Sequence, residues 1–243
     1  MNTPVKSDHH PGSWRVGAAE VDITPTAATF LFGYPHVERM STGAHTPLPA
    51  SALWIARDDE ACLFISCDLI WVPRSITLPA RRQLSEALDL PLEAIMITAT
   101  HTHSGPVTAG MVSNADDPVV PPPDPVYLQR IEQAIVEAGR RACEAAAETI
   151  LQFATVDAAG LGGNRRDPAG PTIPTLPLLI ARDPADTEPT AIMAVHAMHP
   201  TVLHEDSTRI SGDFPGLARQ SLKQRLEAPD LVYLHHMGAS GNQ

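Results

Sequence analysis

The sequence predicts an α/β fold: a mixed β-sheet core packed by helices, with a metal site at the C-terminal ends of strands. Three observations predict it. Short apolar, partly β-branched runs recur along the 243 residues, amphipathic helical stretches fall between them, and histidines stand where two of the strand-like runs give out. A chain of this length can bury a sizeable core as one α/β domain or as a large part of a bigger one. With 43% hydrophobic residues and 24 prolines scattered without a repeat, it belongs to neither the collagen-like nor the wholly disordered class.

Residues 1–14, with His9 and His10 beside Pro11, read as a flexible N-terminal tail without a role, and the domain runs over 15–243. The first strand pattern covers 14–23 and stops at Thr24-Pro25. Residues 52–57 and 61–72 are two further strand-like runs, separated by the charged turn Asp58-Asp59-Glu60 of a hairpin. Residues 73–88 carry Ile76, Leu78, Leu84 and Leu88 at helical spacing. The apolar run 94–100 (AIMITAT) then reads as a core strand that delivers His101-Thr102-His103. Alternate side chains on a strand share one face, so a persisting extended backbone would point both imidazoles the same way. Gly105-Pro106 is expected to break that strand.

Residues 107–125 are rich in proline and aspartate and form a loop, which is either a rim or lid or a plain surface excursion. The longest helical pattern covers 125–147, with Tyr127, Ile131, Ile135 and Ala138 on one stripe. Strands follow at 149–157, 176–181 and 191–198, the last leading into His199-Pro200-Thr201. His196, three positions before His199, faces the opposite side of a strand and reads as a core histidine or as one that supports a metal ligand from behind. Ser211-Gly212-Asp213 opens a helix to about 226, with Asp213 in N-cap position, where capping is the expected role and catalysis the alternative, and Pro215 in the first turn. A last strand, 230–236, precedes the glycine-rich stretch 238–243.

The net charge of -11 argues against a nucleic-acid partner, which would need a basic face. Cys62, Cys67 and Cys143 show no CxxC spacing and are odd in number, so no disulfide framework is expected, and Cys62 and Cys67 read as small core residues. No run approaches the roughly 18 apolar residues of a membrane span, so no transmembrane segment is expected. The N-terminal stretch lacks the apolar segment of a secretory signal, and a cytoplasmic location is the expectation. Nothing in the sequence specifies an oligomeric state.

Two histidines two residues apart at a strand end, with a third at the end of another strand, suit metal ligation. The HxH spacing alone fits equally well with histidines hydrogen-bonded in a polar turn. More specific is an ordered set: 16–25 (VGAAEVDITP), Gly33-Tyr34, 61–69 ending in Ser66-Cys67-Asp68-Leu69, 99–106 (ATHTHSGP), Asn164-Arg165-Arg166, 199–203 (HPTVL) and 210–218 (ISGDFPGLA). Together these resemble the N-terminal catalytic domain of the neutral/alkaline, non-lysosomal ceramidase family.

The resemblance implies a zinc amidohydrolase that cleaves the N-acyl bond of ceramide to a sphingoid base and a fatty acid. It implies that His101 and His199 are Zn2+ ligands, that His103 faces the substrate amide and assists the chemistry, and that Arg165 is a substrate-site arginine. It also implies a glutamate and a tyrosine ligand beyond Gln243. Residues 238–243 match a family turn up to one position before its serine, which Ser240 is not, so the chain is expected to be C-terminally incomplete. The combination suits amide hydrolysis: a metal activates water at neutral pH, a histidine moves a proton, and a guanidinium stabilises the developing oxyanion. The substrate is then a lipid or other N-acyl amide. Two other readings are a TIM-barrel amidohydrolase, which normally places HxH on its first strand, and a non-catalytic metal-binding module that keeps the fold and two histidines.

Overall fold

The computed structural model describes residues 14–110, 117–186 and 188–243. The tail reading for 1–13, with His9 and His10, and the middle of the proline-rich loop fall outside the described residues. The chain starts its first sheet at once. Strands β1 (Trp14–Asp22), β3 (Pro49–Arg57), β4 (Glu60–Cys67), β5 (Ile95–Ala99) and β7 (Ala147–Glu148) form a sheet in the order β5-β4-β3-β1-β7. All its pairings are antiparallel except β4 with β5. The β3–β4 hairpin turns at Asp58-Asp59, as the charged turn predicts. The second strand of that hairpin is shorter than its apolar run, because beyond Cys67 the backbone turns away to carry Asp68, Leu69 and Ile70 towards the histidine loop.

A second sheet joins β8 (Ile150–Asp157), β9 (Thr175–Arg182), β10 (Pro189–His196) and β11 (Val232–Met237) in the order β11-β10-β9-β8, with only β10 and β11 parallel. Strand periodicity explains how the layers stack. On β3, Ala50, Ala52 and Trp54 face helices α1 (Arg74–Leu88) and α2 (Pro125–Glu144), whereas Leu53 and Ile55 face the second sheet. On β11, Val232 and Leu234 face the first sheet, and Tyr233 faces helix α3 (Asp213–Arg225) with Ile192 and Ala194 of β10. Alternation therefore produces four layers, helices outside and two sheets within.

The stripe Tyr127, Ile131, Ile135 and Ala138 is the buried face of α2. The helix sits so close to β1 that a Cβ on Gly17 would stand 2.0 Å from the Ala142 carbonyl oxygen. Pro125 occupies the first turn and Asp124 caps it, its carboxylate accepting from Val126 N at 2.9 Å. Gly105-Pro106 does not simply break the chain. It forms β6 (Gly105–Pro106), paired antiparallel with β2 (Leu31–Phe32), and so draws the 30–40 segment against the histidine loop. Among the described residues no helix is long and apolar enough to cross a membrane, and all three cysteines are free.

Candidate metal centre

His101 follows the end of β5, and His199 follows the end of β10, so each sheet delivers one imidazole from the C-terminal side of its parallel pair. The expected extended run through His101 and His103 does not occur. Thr100 N and His101 N donate to Cys67 O and Leu69 O at 2.9 and 2.8 Å, and His101 then adopts φ +69°, a left-handed backbone uncommon for a non-glycine residue. The two rings meet all the same, 5.2 Å apart between centroids, because a turn rather than the strand pleat brings them together.

The ring nitrogens of His101, His103 and His199 that could ligate lie within 4.8 Å of one another. His101 Nδ1 donates to Ile70 O at 2.9 Å, and His199 Nδ1 donates to Ser240 O at 3.2 Å. A carbonyl can only accept, so both rings carry their proton on Nδ1 and keep a lone pair on Nε2. This is the orientation that backbone carbonyls impose on metal-binding histidines. His103 Nε2 lies 3.1 Å from His199 Nε2. Its ring is held against Gly33, which has φ +132° and where a Cβ would fall 2.6 Å from His103 Nδ1.

All three imidazoles are held neutral. Burial lowers the pKa of His101 and of His199, and burial with the neighbouring His101 and His199 pushes His103 down to about 3. Neutral, converging, lone-pair nitrogens fit a bound cation such as zinc. Arg165 lies near enough for its charge to lower the basicity of His101 and His199, and its Nη2 donates to Gly241 O at 2.8 Å. The remaining neighbours were not read from the sequence as site residues. Trp71 packs edge-on to His101 at 4.7 Å. Tyr34 packs edge-on to His103 at 5.3 Å, donates to Leu203 O at 3.0 Å, and has its hydroxyl pKa raised by burial. Arg39 lies 4.7 Å from the Tyr34 ring centre and donates to His103 O.

Two expectations are settled differently. His196 lies apart from the cluster and packs on Phe214, in keeping with a core histidine. Asp213 is not the N-cap of α3. Gly212 holds that position, and Asp213 has φ +57° with its carboxylate turned to the loop after His199, accepting from Val202 N and Leu203 N. Within the proline-rich loop, Val107, Thr108 and Asp117 are buried, whereas Pro118, Pro121, Pro122 and Asp124 are exposed, as a surface excursion would be.

A layered α/β domain with a cluster of three histidines where its strands end defines the class. The family model described as neutral/alkaline non-lysosomal ceramidase, N-terminal, matches residues 14–169, and the chain belongs to that family. The neutral ceramidase of Pseudomonas aeruginosa is 29% identical over 111 residues, which are 44% of this chain and 16% of that protein. The crystal structure of neutral ceramidase from Pseudomonas aeruginosa superimposes with a TM-score of 0.82 at 22% identity, covering 95% of this chain and 39% of that one. A structure described as ceramidase complexed with C2 gives 0.80 at 21% identity, with 95% and 38% covered. The fold is shared, and the chain spans well under half the length of these relatives.

Proposed function

We propose that the chain supplies the histidine part of a zinc-dependent hydrolase site that cleaves an N-acyl amide, with ceramide, giving a sphingoid base and a fatty acid, as the leading substrate. The observation that carries this reading is the convergence of three neutral imidazoles in a chain of the ceramidase family. His101 and His199, each fixed through Nδ1 by a carbonyl, would hold the metal. When bound, zinc supplies a Lewis acid and activates water at neutral pH.

His103, neutral at the centre of the cluster, is the group suited to hand a proton to the leaving amine or take one from water. Arg165 adds a fixed positive charge beside the cluster and is the candidate to stabilise negative charge on the substrate carbonyl oxygen. The test is zinc content per chain by elemental analysis for the parent protein, His101→Ala and His199→Ala, followed by hydrolysis of a ceramide and of a non-sphingoid N-acyl amide. Near-stoichiometric zinc in the parent, lost in both variants, is expected. Zinc retained in both variants overturns the ligand assignment. Zinc bound without hydrolysis of either amide, persisting when the C-terminal part with the expected glutamate and tyrosine is supplied, makes the chain a metal-binding module.

A further inference from the structure

Two buried charges near the histidine cluster have no opposite charge within ion-pair distance among the described residues. Asp213 is 0% exposed and Arg39 is 1% exposed. Burying an isolated charge is expensive unless dipoles replace the lost water, and both find them in one stretch of chain. The Asp213 carboxylate accepts from Val202 N at 3.2 Å and Leu203 N at 2.8 Å, as well as from Phe214 N at 2.7 Å. The Arg39 guanidinium donates to Ser207 O at 3.1 Å and His204 O at 3.5 Å, and also to Leu31 O and His103 O. The acid takes N–H groups of this segment, and the base takes its carbonyls.

The segment they hold begins at His199 and reaches the other members of the cluster. Pro200 O accepts from His103 N at 3.4 Å, and Leu203 O accepts from the Tyr34 hydroxyl, whose ring lies edge-on to His103 and under Arg39. We propose that Asp213 and Arg39 are positioning residues, a pair of buried opposite charges that clamp residues 199–207 from its two polar sides and thereby fix His199, His103 and Tyr34 in register. The proposal rests on the metal-site reading for its consequence, though not for its geometry. Asp213 keeps its left-handed backbone because the helix start and the held loop share its carboxylate.

The test pairs amide hydrogen exchange by NMR with zinc titration for the parent protein, Asp213→Asn, Arg39→Met, Arg39→Lys and Val202→Pro. The last removes one donor at an exposed position and leaves both charges in place. The diagnostic amides are those of His199, Thr201 and His103, which donate to Gln243, His199 and Pro200 and not to either charge. Exchange at these amides should rise at least tenfold in Asp213→Asn, Arg39→Met and Val202→Pro, with α2 amides unchanged, and Arg39→Lys should recover part of the protection. Zinc affinity should fall about 10–100-fold alongside, the usual effect of losing a residue that orients a ligand. Unchanged exchange, or a rise shared equally by α2, overturns the clamp. Locally faster exchange with zinc affinity equal to the parent's overturns its role at the site. Locally faster exchange in the variants of a parent that binds no zinc upholds the clamp and removes the metal reading instead.

Discussion

A single methyl group separates Gly33 from alanine, and there is no room for it. The backbone stands at φ +132°, and the added carbon would press on the His103 ring at 2.6 Å. Gly33→Ala should therefore cost about 2–4 kcal/mol, combining backbone strain with overpacking, and should weaken zinc binding because the displaced His103 ring pushes on His199, 3.1 Å away. Urea unfolding and zinc titration check both, and a variant with parental midpoint and affinity would sink the argument. At this scale the sequence was partly legible. His101 and His199 stood out because imidazoles at strand ends are a local pattern. Arg39 and Tyr34 did not, because each acquires its role from residues 64 and 169 positions away, His103 and Leu203. The left-handed turn at His101 was hidden for a similar reason, since it is imposed by the carbonyls of Cys67 and Leu69 across the sheet.

Helix α3 is tied to the rest of the fold by charge as well as by its apolar face. Arg219 grips Asp68, just past β4, with two hydrogen bonds at 2.8 and 3.1 Å, and lies 3.3 Å from Glu20 on β1. Both members of the Arg219–Asp68 pair are buried, so Arg219→Met strands a carboxylate and should cost about 3–5 kcal/mol. Lys223→Met breaks the more open contact to Glu20 at 2.8 Å and should cost under about 1 kcal/mol. Urea midpoints of the two variants give the comparison, and equal losses would contradict it. The helices α1 and α2 were legible because their apolar residues repeat at helical spacing. The β2–β6 ladder was not, since two residues per strand carry no period. The capping reading of Asp213 failed because the side chain is more fully used by the loop after His199 than by the turn it precedes.

Across the whole molecule, β11 carries adjacent histidines into two different interiors. His235 packs on Phe214 beside α3, and His236 lies between the sheets with Thr98 Oγ1 2.8 Å from its Nδ1. Burial pushes His235 down to about 3 and His236 down to about 4. In the unfolded chain a histidine titrates near 6.5. Above that value neither state binds the proton and stability is full, whereas below it only the unfolded chain does. Stability should thus fall as pH drops from about 6.5 towards 4, by about 1.4 kcal/mol per pH unit for each histidine. Urea unfolding at pH 7.5, 6 and 5 measures the slope, and His236→Asn should make it shallower.

The four-layer stack was legible as an α/β class from alternating runs, but its division into two sheets depends on which strands pair, and no local pattern states that. That division governs when the centre comes into being. His101 hangs from one sheet and His199 from the other, and the ring contact between His103 and His199 spans 96 positions of chain. Such distant contacts form late. In the denatured protein His101 and His103 are neighbours but His199 is far along the chain, so a cation at this cluster would be a passenger of folding and not its seed. Zinc should therefore leave the refolding rate unchanged and slow unfolding, a difference that the two arms of a denaturant chevron would separate.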